Sequence, residues 1–87
     1  MKTVWKYNLN LGEENISMPQ LARVLSFGSQ HGTLCMWAEV ETTNPYVPRT
    51  FLVVDTGHEV PKAARHLGTT QVAPFVWHLY ETTTLSN

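Results

Sequence analysis

Charge of either sign is scarce in this sequence, and long apolar runs are absent. Six Lys and Arg residues stand against seven Asp and Glu residues, so the formal net charge is -1. The basic residues form no run, which excludes the electrostatic footprint of a protein that binds duplex nucleic acid. No apolar run approaches the ~18 residues needed to span a bilayer, and the N-terminal residues lack the apolar region of a signal peptide. We therefore expect a cytoplasmic protein with no membrane partner.

Cysteine is also scarce, and no catalytic or metal-binding motif is present. Cys35 is the only cysteine, which excludes an internal disulfide and fits a reducing compartment. The histidines and Cys35 show none of the short paired spacings of structural zinc sites. There is no G-x-S-x-G motif, and the grouping of Asp55, Thr56 and His58 is typical of a turn. The sequence therefore predicts no enzyme activity, no metal site and no cofactor.

What the sequence does contain is the pattern of short β-strands. Apolar and polar residues alternate, with turn signals between the segments. The predicted strands cover residues 3–9, 16–18, both arms of a hairpin within 22–41, 49–55, 66–73 and 75–82. Residues 12–15 and 42–48 are predicted as a turn and a loop, and residues 61–65 as one helical turn. We expect one all-β domain over residues 1–87, with a frayed tail at 83–87. It is a small antiparallel sandwich or partly open barrel of five to seven short strands, with at most one short helical turn.

The hairpin is the most sharply predicted element. His31 and Gly32 suit a two-residue type I′ turn, because both central positions of that turn need a positive φ. This turn places Ser26 opposite Trp37, Leu25 opposite Ala38, Val24 opposite Glu39 and Arg23 opposite Val40. One face of the hairpin is then apolar and is predicted to face the core, whereas the other has small residues around the Trp37 indole. The predicted core face carries Leu25, Phe27, Leu34, Met36 and Val40, and the other face carries Ser26, Gly28, Cys35 and Trp37.

The small residues on that second face predict a ligand-binding groove. Ser26 and Gly28 leave space beside Trp37, whose ring is a platform for a base or a sugar. Cationic side chains suit phosphate groups, and the turn at 55–58 offers backbone N–H groups and a histidine. The candidate cations and turn residue are Arg23, Arg49, Arg65, Lys62 and His58. The alternative is that Trp37 packs against a neighbouring strand or subunit.

Large apolar side chains lie on both faces of the predicted strands at 49–55 and 75–82. A single sandwich has one interior, so the remaining faces need a loop, a ligand or another subunit. A symmetric homodimer needs only one such patch. We expect a homodimer or higher homo-oligomer, with candidate interface residues Trp5, Tyr7, Trp77 and Tyr80.

Several segments resemble a family of small uncharacterised proteins encoded by bacteriophages and prophages. They are TVWKYNL, the Met18-Pro19 pair, ARVLSFGSQHGTLCMWAEV, RTFLVVDTGH, HLGTTQ and FVWHLYE, and together they extend from about Thr3 to Glu81. His31-Gly32 stands where the family usually has an Asn-Gly type of turn, and Asp55 stands where it often has Gly. The resemblance implies a phage origin and a compact β-rich domain, and it carries over no functional residue.

These observations lead to a binding protein as the first functional hypothesis. In it, a non-enzymatic phage protein counters host defence by sequestering a nucleotide-like immune signal at or near a homo-oligomer interface. The alternative is an inhibitor or accessory module that binds a host defence protein through an aromatic patch. A second alternative is a small structural component of the phage, or a small enzyme.

Overall fold

The computed structural model describes residues 1–82, and the frayed tail expected at 83–87 lies outside the described residues. Within residues 1–82 every regular element is a β-strand. The strands are β1 (Lys2–Asn8), β2 (Gly12–Pro19), β3 (Arg23–Gln30), β4 (Thr33–Glu41), β5 (Tyr46–Asp55), β6 (Arg65–Val72) and β7 (Phe75–Thr82). The all-β prediction is therefore confirmed.

The strands form two antiparallel sheets. A three-stranded sheet has the order β1-β4-β3, and a four-stranded sheet has the order β2-β5-β7-β6. The two sheets are not joined by a hydrogen-bonded ladder, so the fold is a sandwich and not a closed barrel. Strand β5 lies inside its sheet, as its apolar residues on both faces predict. Among the described residues, no helix has the length and apolar character to cross a membrane.

The hairpin of β3 and β4 closes at the predicted turn. His31 has a φ of 52° and Gly32 a φ of 79°, as a type I′ turn requires. The predicted register holds as far as Ser26, which lies opposite Trp37. The register of the last three pairs is wrong, because a β-bulge at Leu25 shifts it by one residue.

The bulge changes which side chains face the core. Val24 lies opposite Ala38, and Arg23 lies opposite Glu39. Leu25 was predicted on the core face, yet it is 43% exposed. The extra residue thus turns Val24 inward and frees Arg23 from the core face.

Two strand boundaries and one turn also differ from the prediction. Residues 12–15 are not a turn but the first half of β2, and β5 begins at Tyr46 and not at Arg49. Polar side chains on an edge strand with one solvated face account for the first error. In place of a helical turn, Ala64 N–H donates to the Pro61 carbonyl at 3.0 Å, which makes a simple turn.

The core lies between the inward faces of the two sheets. Its most deeply buried side chains are Met18, Met36, Ala38, Val40, Phe51, Val53 and Leu79. Strands β3 and β6 approach closely at one side of the sandwich. There a Cβ on Gly68 would lie 2.9 Å from Cβ of Phe27. Because a real Cβ does not come this close, only glycine lets the two strands pack at this distance.

Candidate functional site

The groove predicted beside Trp37 is occupied by the indole of Trp37 itself. A Cβ added to Gly28 would lie 3.5 Å from Cζ3 of this ring, an ordinary van der Waals distance. The indole therefore lies over Gly28 on the outer face of the three-stranded sheet and remains half-buried. On the same face, Lys6 Nζ donates to Gln30 Oε1 at 2.8 Å across β4. The space beside Gly28 is therefore filled by the Trp37 ring, whereas Ser26, opposite Trp37, is exposed.

The three candidate arginines, in contrast, come together. Arg23 on β3, Arg49 on β5 and Arg65 on β6 line one cleft at the side of the sandwich. The cleft has a volume of about 460 Å³, which falls in the range of about 300–1,000 Å³ found for small-molecule sites. Its other lining residues are Leu21, Ala22, Val24 and Leu67.

Arg49 is the fixed member of the trio. Its Nε donates to Oε2 of Glu81 at 2.7 Å, and its Nη2 donates to Oε1 of the same carboxylate at 2.8 Å. Its Nη1 donates to the Ala22 carbonyl at 2.6 Å. The side chains of Arg49 and Glu81 are each about one-sixth exposed. The paired contact is the bidentate geometry that an arginine fork favours, so Arg49 ties β5 to β7 and to the segment before β3.

Arg23 and Arg65 are the accessible members. Their side chains are 71% and 72% exposed, and each has one longer ion pair. Arg23 Nη2 lies 3.5 Å from Oε1 of Glu39, and Arg65 Nη2 lies 3.3 Å from Oε1 of Glu81. Such exposed pairs contribute only about 0–1 kcal/mol. A ligand anion can therefore compete for these two guanidinium groups at small cost.

The charges at the cleft favour an anion. Arg23, Arg49 and Arg65 form ion pairs with Glu39 and Glu81, and Lys2 Nζ also lies 3.8 Å from Oε1 of Glu39, so four cations share two carboxylates. The hydrogen bonds from Arg49 hold the pKa of Glu81 below its ordinary value, although burial of the carboxyl acts in the opposite direction. The same contact raises the pKa of Arg49. Glu81 and Arg49 are therefore both ionised at neutral pH.

The sequence singled out Arg49 but not its partner Glu81. Both residues extend the inward-facing alternation of apolar side chains on their strands, Arg49 before Phe51 and Glu81 after Leu79. A charged residue on a core face needs a partner of opposite sign. The charged residues at these two inward-facing positions were therefore a sign of an ion pair. To recognise Arg49 and Glu81 as its two members, one must know that β5 and β7 are neighbouring strands.

The other candidate residues lie away from the cleft. His58 is in the loop after β5, where its Nδ1 lies 2.6 Å from Oδ1 of Asp55. Trp5, Tyr7 and Trp77 are half-buried and pack against the core from the inside. Tyr80 lies in edge-to-face contact with His66, with 5.3 Å between the ring centroids. The dimer interface at these four aromatic residues stays a prediction.

The four-stranded sheet carries a series of side-chain hydrogen bonds that the sequence did not predict. Thr69 Oγ1 lies 2.9 Å from Nε2 of His66 and 3.0 Å from Nδ1 of His78. The other nitrogen of His78 lies 2.9 Å from Oγ1 of Thr56. Thr69 and His78 lie opposite each other in the antiparallel pair of β6 and β7, which brings their side chains within hydrogen-bonding distance. Within residues 1–82, no group of three or more His, Cys, Asp or Glu side chains is placed to hold a metal ion.

The sequence matches a protein family whose function is not established. A family described as a domain of unknown function, DUF7352, matches residues 1–87. The chain belongs to the DUF7352 family. This agrees with the resemblance to an uncharacterised family, whereas the phage origin of this DUF7352 protein stays a prediction. No curated protein matches the chain, and no solved structure matches it.

Proposed function

We propose that this protein is a non-enzymatic binding domain that holds a small phosphorylated ligand, of the size of a nucleotide, in the arginine cleft. The observation that carries the proposal is the convergence of Arg23, Arg49 and Arg65 from three strands on one cleft. Arg49 is fixed by Glu81 and shapes the floor, while Arg23 and Arg65 are accessible and bind the phosphate oxygens. Guanidinium forks suit phosphate groups in both geometry and charge.

The wider role that we propose is the sequestration of a nucleotide-like signal of host defence in the host cytoplasm. The support for this part is the sequence resemblance to small phage proteins. A binding protein that catalyses no reaction acts by lowering the free concentration of its ligand. The genes adjacent to this one test the role, since we expect other defence-countering genes there and morphogenesis genes would contradict it.

Isothermal titration calorimetry tests the binding proposal directly. The probes are cyclic nucleotides, adenosine diphosphate and pyrophosphate, at low and high salt. We expect at least one probe to bind, with affinity that falls as salt screens the charges. Arg23→Gln and Arg65→Gln should each lower the affinity about tenfold or more, because each removes a charged hydrogen-bond donor.

Lys62→Gln is the matched control. It removes the same charge from the loop between β5 and β6, outside the set of residues that line the cleft, so the affinity should stay within about twofold of the wild-type value. Absence of binding by every probe would refute the proposal, as would an equal effect of all three substitutions.

A second candidate function has an observation of its own. At one end of the sandwich, an apolar cleft of about 490 Å³ lies between Leu9, Leu34, Val72 and Trp77. Leu11 and Phe75 on its border are 61% and 50% exposed. An exposed aromatic beside an apolar cleft is typical of a protein-binding surface. If a host protein binds here, a stoichiometric partner purifies with the wild type and is lost with Phe75→Ser, whereas Arg65→Gln retains it.

A further inference from the structure

Leu21 combines two features that are unfavourable for a leucine. Its side chain is 85% exposed, and its φ of 70° lies in the left-handed region. It occupies the third position of a turn in which Ala22 N–H donates to the Pro19 carbonyl at 3.2 Å. A positive φ at this position favours Gly or Asn. A leucine at this position therefore adds no evident stability to the fold. Residues with a strained backbone of this kind concentrate at binding sites.

The turn holds Leu21 in a defined place at the rim of the arginine cleft. Gln20 N–H donates to the Pro45 carbonyl at 2.8 Å, and Asn44 Nδ2 donates to the Gln20 carbonyl at 2.8 Å. On the other side, the Ala22 carbonyl accepts a hydrogen bond from Arg49. Leu21 is thus anchored on both flanks, so its side chain is presented to the cleft by a rigid backbone.

The rest of the cleft combines cationic and apolar side chains. Arg23 and Arg65 supply the accessible cations, while Ala22, Val24 and Leu67, here called the apolar wall, line the same cleft as Leu21. A bare phosphate would use only the cations. A ligand with a ring attached to its phosphates would use both, since an aliphatic side chain packs well on the face of a nucleobase.

We propose that Leu21 contacts the nucleobase of the ligand and sets the preference of the cleft for nucleotides over simple phosphate anions. This inference rests on the proposed function, because it concerns the same cleft. It assigns the phosphate groups to Arg23 and Arg65 and the base to Leu21 with the apolar wall.

The substitution that tests it is Leu21→Asn. Asn tolerates a positive φ and removes the apolar side chain without adding the backbone freedom of glycine. Calorimetry compares adenosine diphosphate with pyrophosphate, which share the diphosphate and differ by the nucleoside. We expect the wild type to bind the nucleotide about tenfold more tightly. Leu21→Asn should lose most of that preference and keep its pyrophosphate affinity within about twofold.

Thermal unfolding of the same variant separates binding from folding. The midpoint of Leu21→Asn should equal or exceed that of the wild type, because strain is relieved. Leu11→Asn is the control, since Leu11 is also exposed but lines the cleft at the end of the sandwich; its nucleotide preference should match that of the wild type.

The outcomes distinguish the two proposals. If the wild type binds pyrophosphate as tightly as the nucleotide, or if Leu21→Asn weakens both probes equally, the assignment of Leu21 is wrong and anion binding stands. If the wild type binds neither probe, the proposed function is wrong and this inference falls with it. A lower midpoint for Leu21→Asn would make Leu21 a folding residue and would also overturn the inference.

Discussion

At the scale of single residues, the Tyr7 hydroxyl is exceptional. It is buried and has no hydrogen-bond partner within residues 1–82. Burial, followed by the nearby Tyr46, raises the pKa of Tyr7, and Arg49 lowers it in part. A buried hydroxyl without a partner destabilises the fold relative to an apolar group of the same shape.

Tyr7→Phe should therefore leave the free energy of unfolding unchanged or raise it by up to about 1–2 kcal/mol. Urea denaturation measures this difference. Tyr46→Phe is the control, because Tyr46 is 55% exposed and should change stability by no more than about 0.5 kcal/mol. A loss of more than about 1 kcal/mol in Tyr7→Phe alone would mean that the hydroxyl is satisfied in the folded protein.

The Glu81 carboxylate gives stability a defined pH dependence. Its pKa is lowered in the folded state, chiefly by the hydrogen bonds from Arg49. Between the folded and the unfolded pKa, the unfolded state therefore binds more protons than the native state. The contribution of Glu81 to stability is full above the unfolded value, about 4.3, and is lost as the pH falls through the folded value.

Glu81→Gln should lower the free energy of unfolding at pH 7 by about 2–3 kcal/mol, because it leaves a partly buried guanidinium without its counter-charge. The difference between wild type and variant should shrink as the pH is lowered from 5 towards 3. Urea denaturation at a series of pH values measures both effects. A difference that stays constant with pH would contradict this role of the Arg49–Glu81 pair.

At the scale of elements, the close approach of β3 and β6 depends on a glycine. The clash that a Cβ on Gly68 would make is with Cβ of Phe27, which cannot rotate away. Gly68→Ala should therefore destabilise the protein by about 1–3 kcal/mol, as other overpacked sites do. It should also disturb the cleft, since Leu67 and Val24 border it on these two strands.

Gly28→Ala is the matched control for this prediction. It is also a strand glycine, but its added Cβ would lie at an ordinary 3.5 Å from Trp37. We expect its stability to equal or exceed that of the wild type, because alanine has less freedom to lose on folding. Equal effects of the two substitutions in thermal unfolding would argue against the close packing of β3 on β6.

The elements also show where reasoning from sequence succeeds. Alternation in TVWKYNL and FVWHLYET places Trp5, Tyr7 and Leu79 on inward faces, and the His31-Gly32 turn fixes the register as far as Ser26. The bulge at Leu25 could not be predicted, because one extra residue leaves no mark in a pattern of period 2. The early start of β2 was missed because Glu13 and Glu14 are more typical of turns than of strands.

At the scale of the whole molecule, the candidate site depends on tertiary pairing. The sequence named Arg23, Arg49 and Arg65 as phosphate ligands but attached them to Trp37. Only the packing of the two sheets shows that the arginines share a cleft while the Trp37 indole covers Gly28. The bulge contributes as well, since it frees Arg23 from the core face. Long-range contacts of this kind cannot be read from a local pattern.

The same packing bears on oligomerisation. Trp5, Tyr7, Trp77 and Tyr80 were the candidate interface residues of the predicted homo-oligomer, yet the first three pack against the core of one protomer. This packing accounts for them without a second copy. The homo-oligomer therefore stays a prediction, and these three side chains are not evidence for it.

The central claim is that the three arginines form an anion-binding cleft, and NMR chemical-shift mapping tests it most directly. Amide resonances of the ¹⁵N-labelled protein are followed as pyrophosphate is added at low salt. We predict saturable shifts confined to residues 21–24 and to Arg49, Arg65 and Leu67, which are lost in Arg65→Gln. Shifts spread over exposed lysines such as Lys62, or no shifts at all, would contradict the account.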